Sequence, residues 1–512
     1  MSRRWGGALS SGLLLLFSYP PFDQGWLAWV ALVPWLAALR SAGPRAGFAL
    51  GTLAGLVFFG GSLWWVAHVT VAGSLLLVAY LALYFGAWGL FAQWVIGRDR
   101  ASGGSLGSPI ILAAGWALLE YLRAVLLTGF GWNLLAHTQW EWIPLIQVAD
   151  LAGAYGVSFV VVLVNGFLHR ALQVRTASGR AGSLVLAAAA VAGCLAYGWF
   201  RLAPTPLPVT HRVSPARSVA LLQGNIPQTL KWEESFREEI WQRYEALTLE
   251  AAGERPDLIV WPETAVPGFL GDPSVGERLD RVSRSARIPL LVGVPTEERG
   301  TGRLFNSALL LDSEGNRVER YDKLHLVPFG EYVPLKPLLG WLNNVVPIGD
   351  FSRGRRFTIF RFKTVPGTGT VPGTEGFSVP PFSVLICFED LFPGLSRRFV
   401  REGARTLFVL TNDAWFGRSA ASLQHLQASV FRAVECRVPV GRAANSGWTG
   451  WVDPFGRRLP PPAQAERFET ATALAPWSPG PGRSPYLRWG DWFVGVCLLG
   501  VGWAFLPSRR RL

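Results

Sequence analysis

Apolar residues are distributed along the chain in two regimes. From residue 8 to residue 200, and again from 487 to 506, they form long blocks, at 8–20, 25–39, 47–67, 73–96, 109–128, 153–172, 181–200 and 487–506. Each block is near the ~20 residues a helix needs to cross a bilayer, although the first two are short. The pattern predicts eight membrane helices. From about 205 to 482 the apolar runs are short and change period. Residues 218–223, 258–261, 289–293, 306–311, 382–386, 406–410, 447–452 and 468–475 read as strands, and 234–252, 275–287, 394–403 and 422–437 as helices. Asp312-Ser313-Glu314-Gly315 reads as a hairpin turn. Strands alternating with helices, with some hairpins between, predict a mixed, layered α/β sandwich. Prolines at 204, 206 and 208 and at 476, 479 and 481 bracket it. The expected domains are therefore a membrane domain at 1–204, an α/β domain at 205–482, and a last helix with a basic tail at 483–512. Residues 364–380, with Val-Pro-Gly-Thr at 365 and again at 371, read as a surface insertion without chemistry.

Charge orients this arrangement. Arg40 and Arg45, then Arg98 and Arg100, then Arg170, Arg175 and Arg180 fill every second loop, and the loops near 20–24, 68–72 and 129–152 hold no Lys or Arg. Arg3, Arg4 and the Arg509-Arg510-Arg511 tail fall on the basic side too. Basic loops stay in the cytoplasm, so both termini are expected there and the α/β domain outside.

Half of the chain is hydrophobic, and the formal net charge is +13. No basic stripe with interleaved aromatics accompanies that charge, which argues against nucleic acid and for anionic lipid and membrane topology. The cations are almost all arginine. The lysines are Lys231, Lys323, Lys336 and Lys363, so the position of each carries information. Cys194 and Cys497 lie in apolar blocks, and no Cys/His spacing marks a metal site. Neither metal nor cofactor is expected. In an oxidising compartment Cys387 and Cys436 could form a disulfide. Glu120 and Arg123, three apart in the fifth block, read as an ion pair on one helix face. The loop Gly129-Phe130-Gly131-Trp132-Asn133, with Trp140 and Trp142, reads as an interfacial aromatic belt.

In the α/β region the polar residues that a bland core would not need collect at strand ends. They are Trp261-Pro262-Glu263-Thr264, then Tyr321-Asp322-Lys323-Leu324-His325 running on to Glu331-Tyr332, then Ile386-Cys387-Phe388-Glu389-Asp390, and Thr411-Asn412-Asp413-Ala414-Trp415-Phe416-Gly417. Strand C-terminal ends are where sites form in layered α/β folds. A lone cysteine after an apolar run is most often a small core residue. Beside a glutamate and a lysine it makes a different set: the carboxylate takes the thiol proton, and the ammonium holds the oxyanion of an attacked carbonyl. The product of that chemistry is a thioester, able to pass its acyl group to an amine or to water. His325 reads as structural, Asn412 and Asp413 as turn residues, and Cys436 as buried and inert.

Glu263 in WPET, Lys323 in YDKLHLVPFGEYVP and Cys387 in ICFED resemble the Glu-Lys-Cys triad of the nitrilase superfamily. With eight membrane segments, GNIPQ at 224–228 and TNDAWFG at 411–417, the whole chain resembles the membrane-embedded branch of that superfamily, the apolipoprotein N-acyltransferases of bacteria. The resemblance implies a nitrilase-like αββα sandwich on the periplasmic side of the inner membrane. It implies a two-step reaction without cofactors. An acyl chain passes from a phospholipid, typically the sn-1 chain of phosphatidylethanolamine, to Cys387, and then to the N-terminal amine of an S-diacylglyceryl-cysteine apolipoprotein. It makes Glu263 the general base, Lys323 the oxyanion holder and Cys387 the nucleophile, with Glu331 and Glu389 as supporting acids. Trp232, Trp415, Phe416 and Phe388 would line the substrate path. Phe388 stands where the family more often has tyrosine. The apolar loop Leu338-Leu339-Gly340-Trp341-Leu342 and Trp415-Phe416 read either as lids against the bilayer or as core. The same triad would also serve a membrane-tethered nitrilase-type amidase that releases the acyl group to water.

Overall fold

The structure is a computed structural model, and it describes residues 2–101, 105–203, 217–298, 300–332, 350–361 and 379–506. Prolines 204, 206 and 208, the loop 338–342, the repeated Val-Pro-Gly-Thr at 365 and 371, Lys336, Lys363 and the tail 509–511 lie outside the described residues. The chain divides into two compact units. One comprises Met1–Thr205, Ser419–Gln427 and Ser484–Leu512; the other comprises Pro206–Arg418 and Ala428–Arg483.

The first unit is helical. Its longer elements are Ser2–Phe17, Pro44–Ser62, Val71–Ala101, Gly107–Val125, Ala149–Gln173, Ala177–Leu202 and Trp492–Phe505. Among the described residues, Val71–Asp99, Gly107–Thr128, Ala149–Gln173 and Ala177–Leu202 are long and apolar enough to cross a membrane. The block at 25–39 is not one helix. A 3₁₀ turn, Gly25–Trp29, is followed by a separate short helix, Val33–Leu39. Pro34 sits in the first turn of that helix, where its missing N–H costs nothing and from which the helix cannot extend backwards. Helices pack closely here through small residues: a Cβ at Gly51 would collide with the carbonyl of Phe85 on the neighbouring helix.

Polar groups in this unit are paired inward. Arg123 donates to the carbonyls of Phe130, Trp132 and Asn133, and Glu120 accepts from the Trp116 indole and the Leu135 N–H. The two charges therefore brace the 130–135 loop, where the sequence led us to expect them to bond to each other. Trp132 and Trp140 are buried, unlike Trp142, so only the last behaves as a belt residue. The Trp132 indole, with that of Trp65, donates to Gln424 Oε1, whose Nε2 donates to the carbonyls of Pro20 and Ser62.

The second unit is an α/β sandwich of two sheets. Strands are β1 (Ser218–Gln223), β2 (Leu258–Val260), β3 (Leu290–Glu298), β4 (Arg303–Leu311), β5 (Arg317–Asp322), β6 (Phe382–Ile386), β7 (Thr406–Thr411), β8 (Val440–Ala444), β9 (Thr449–Val452), β10 (Gln464–Ala465) and β11 (Ala471–Pro476). They form sheets of order β11-β1-β2-β3-β4-β5 and β10-β9-β8-β7-β6. In the first sheet β1, β2 and β3 are parallel, and two antiparallel steps through β4 give β5 their direction again. The loops after β1, β2 and β5 consequently leave the same edge. In the second sheet β6, β7 and β8 are parallel. Helices Arg237–Gly253 and Pro273–Ala286 cover the outer face of the first sheet, with Ile240, Trp241, Tyr244, Leu279 and Val282 packed on Leu222, Ile259, Trp261, Leu290 and Val292.

The apolar pattern missed three strands: β5, which is largely polar, the two-residue β10, and β8, which carries Arg442 in a fully buried position. The Arg442 guanidinium bridges Asp390 Oδ2 at 3.3 Å and Asp413 Oδ2 at 3.1 Å. Asp413 thus belongs to a buried ion network and is more than a turn residue. The clamp ties the turn after β6 to the turn after β7. Removing one member of a buried ion set leaves the others uncompensated. Arg442→Met is expected to cost about 3–5 kcal/mol of stability, measured as the urea midpoint of the detergent-solubilised protein; an unchanged midpoint would contradict the clamp.

Candidate active site

The loops after β2, β5 and β6 bring together the residues picked out at strand ends. Glu263 follows β2. Asn306, on β4, donates its Nδ2 to Glu263 Oε1 at 2.8 Å and to Glu331 Oε1 at 2.9 Å. Lys323, just past β5, places Nζ 2.9 Å from the same Glu331 oxygen and 3.5 Å from Glu263 Oε1. Its backbone N–H donates to the Asn306 carbonyl, so β4 registers the lysine and the amide together. Glu331 Oε2 accepts the Val327 N–H, which folds the 327–331 loop back on the site. Lys323 is 1% exposed. Burial works against its ammonium, but Glu331 and Glu263 outweigh burial and hold its pKa above the ordinary lysine range. It stays charged.

Cys387 opens a 3₁₀ turn, Cys387–Leu391, directly after β6. Its φ is +56°, the left-handed region that a non-glycine residue occupies only when its surroundings enforce it. Burial pushes the Cys387 thiol well up, and the Glu263 carboxylate pushes the same way, with Lys323 opposing them. The resting group is a thiol that needs a base. Glu389 supplies the enforcement. Its carboxylate accepts the N–H groups of Leu324, His325 and Ile386 and the Tyr321 hydroxyl, all between 2.7 and 2.9 Å. One buried side chain thereby joins the lysine loop to the strand that ends at Cys387. Burial lifts its carboxyl to about 7 against the pull of these donors.

Phe388 is buried, edge-on to His325 and Phe392, with the Lys323 ammonium 5.6 Å from its ring centre. It faces the lysine with an aromatic π-system and no hydroxyl. His325 stacks on Phe392 at 3.7 Å between ring centres. Trp232 and Trp415 are exposed, and Phe416 is half-buried. Neither Cys387 nor Cys436 is in a disulfide.

Sequence reading missed three members. Lys231 is buried and donates to the Glu263 carbonyl at 3.1 Å; lysine scarcity was the signal that pointed to it. Asn306 and Arg442 had no signal, since each sits inside a strand and reads as an interruption. Gly293, on β3, is a quieter requirement: a Cβ there would strike the Pro262 carbonyl and the Glu263 backbone.

A family model described as apolipoprotein N-acyltransferase N-terminal domain matches residues 11–167, and one described as carbon-nitrogen hydrolase matches residues 218–477. A protein of Geobacter metallireducens named apolipoprotein N-acyltransferase is 40% identical, over 98% of this chain and 95% of its own. One of Methylococcus capsulatus with the same name is 34% identical, over 98% of this chain and 96% of its own. Among solved structures, an amidase from Nesterenkonia sp. aligns at 17% identity over 56% of this chain and 98% of its own, with a TM-score of 0.38.

Gly293→Ala is expected to move the glutamate away from Asn306. It should cost about 1–3 kcal/mol of stability by overpacking and reduce turnover by more than that destabilisation explains. Activity per folded molecule, with unfolding followed in parallel, checks this; full turnover would show that the Glu263 backbone position is not critical.

Proposed function

The chain belongs to the apolipoprotein N-acyltransferase family, and we propose that it runs that family's acyl transfer through a thioester on Cys387. It is an acyltransferase and a membrane protein, and its substrates are a lipid acyl donor and a lipoprotein acceptor. The finer reading is as follows. Glu263 takes the Cys387 proton, and the thiolate attacks the sn-1 ester carbonyl of a phospholipid, with phosphatidylethanolamine the expected donor. Lys323 holds the oxyanion. The intermediate collapses, Glu263 returns the proton to the departing glycerol oxygen, and lysophospholipid leaves. The α-amine of a diacylglyceryl-cysteine apolipoprotein then attacks the thioester. Glu263 takes the amine proton, the Cys387 thiolate leaves and is reprotonated, and an amide remains.

The observation that carries this reading is the Glu263–Asn306–Glu331–Lys323 ladder, one lysine held charged between two carboxylates, of which only Glu263 is left to act on the thiol. Glu331 and Glu389 act as supports. Trp232, Trp415 and Phe416 are apolar surface suited to an acyl chain, and Phe388 packs against the oxyanion lysine. We assign 1–204 to the membrane domain, 205–482 to the catalytic domain and 483–512 to the last helix and tail. By the arginine pattern, eight segments place both termini in the cytoplasm and the catalytic domain in the periplasm. That location suits the substrates, because extracting a chain into a soluble cleft costs about 0.8 kcal/mol per CH₂.

Cys387→Ala is expected to abolish N-acylation of a diacylglyceryl lipopeptide in phosphatidylethanolamine vesicles. Glu263→Gln should slow it by about 10²–10⁴-fold, the usual worth of a general base. Amide product and free fatty acid are quantified together by mass spectrometry. Free acid without amide in the parent protein would replace transfer by hydrolysis, and activity in Cys387→Ala would remove the nucleophile.

A further inference from the structure

Lys231 takes no part in the mechanism above, yet it lies inside the site. It follows β1, whose direction matches β2 and β5, so its loop leaves the sheet at the same edge as those of Glu263 and Lys323. It is 4% exposed. Its Nζ hydrogen bond is to the Glu263 backbone carbonyl at 3.1 Å. A neutral carbonyl does not balance an ammonium, and a buried ammonium needs compensating negative charge. The carboxylate that acts on it is Glu263, and the Cys387 sulfur adds to it only when ionised. Lys323 is different in this respect, being taken up by Glu331.

We propose that Lys231 is a positioning residue of this site, which fixes the backbone of the base Glu263 and brings a second positive charge to the edge where the site forms, favouring the Cys387 thiolate. The need for such a charge is visible around the nucleophile. Glu263 after β2, Glu331 after β5 and Asp413 after β7 all disfavour the thiolate, and Lys323 alone among the principal charges on the sulfur opposes them. Glu389, on the nucleophile's own turn, is engaged with the donors already named. Burial lowers the Lys231 pKa to about 8, with Glu263 and Cys387 pulling it back up, so the ammonium is present near neutrality and lost as pH rises through that value. The inference rests on Cys387 as nucleophile and Glu263 as base.

The test reads the thiol directly, without turnover. The full-length protein in detergent is labelled with iodoacetamide across a pH series, and labelling at Cys387 is quantified by peptide mass spectrometry. In the parent, activity should fall in step with labelling of Cys387; if it does not, the underlying assignment of the nucleophile fails. Lys231→Met should slow labelling of Cys387 at neutral pH about tenfold, the low end for an opposite charge near an ionising group, and the difference should fade as pH rises past about 8, where Lys231 loses its charge. Lys231→Arg should recover most of that loss. Lys231→Gln, which can still donate to the Glu263 carbonyl, should behave like Lys231→Met and stands in for it if the methionine variant does not fold. A Lys231→Gln labelling rate at neutral pH equal to the parent's would overturn the proposal and leave Lys231 as a hydrogen-bond donor only.

Discussion

Everything in the α/β unit's site turns on keeping one ammonium buried. Lys323 has almost no contact with water, and an isolated charge there would be driven out or neutralised. It survives because Glu331 and Glu263 face it, and because Asn306 holds both carboxylates in place from a single amide group. The arrangement fixes roles by geometry. Glu331 is spent on Lys323 and on the Val327 N–H, while the Glu263 carboxylate acts electrostatically on the thiol. A site built this way has its polar groups oriented before substrate arrives, which is where electrostatic catalysis gets most of its effect.

The two-sheet topology delivers these groups. Parallel β1 and β2, with β5 restored to their direction, send three loops off one edge of the first sheet. The second sheet contributes β6, which ends at Cys387, and β7, which leads to Asp413. Two buried side chains lock the loops: Glu389 joins the lysine loop to the cysteine strand, and Arg442 joins the turns after β6 and β7. The left-handed backbone at Cys387 is held by this bracing, with the Glu389 carboxylate bonded to the N–H of the residue just before the cysteine.

Most strands of the α/β unit were legible from the chain because half-buried and buried strands leave short apolar runs between turn residues. Glu263 and Lys323 stood out as a carboxylate and a rare lysine at strand ends, Cys387 only beside them, and Glu331 through the family resemblance. What could not be read was polarity inside elements. Arg442 breaks the apolar run of β8, and only the fold reveals the two aspartates that pay for its burial. Asn306 looks like the ragged start of a strand until Glu263 and Glu331 are placed beside it. In the helical unit, Glu120 and Arg123 were visible as charges, but their use in bracing the loop that follows their helix had no sequence signal. Trp132 and Trp140 misled for a related reason, since an indole near a predicted helix end serves a bilayer surface or a buried hydrogen bond equally well.

Acyl transfer through Cys387 requires a covalent acyl intermediate at that one residue. The most direct measurement is peptide mass spectrometry of the detergent-purified protein after incubation with phosphatidylethanolamine and no acceptor. An acyl-sized mass on the peptide carrying Cys387, removed by neutral hydroxylamine or by adding a diacylglyceryl lipopeptide, is the predicted result. Absence of that adduct while the lipopeptide is still N-acylated, or its appearance on another residue, would contradict it.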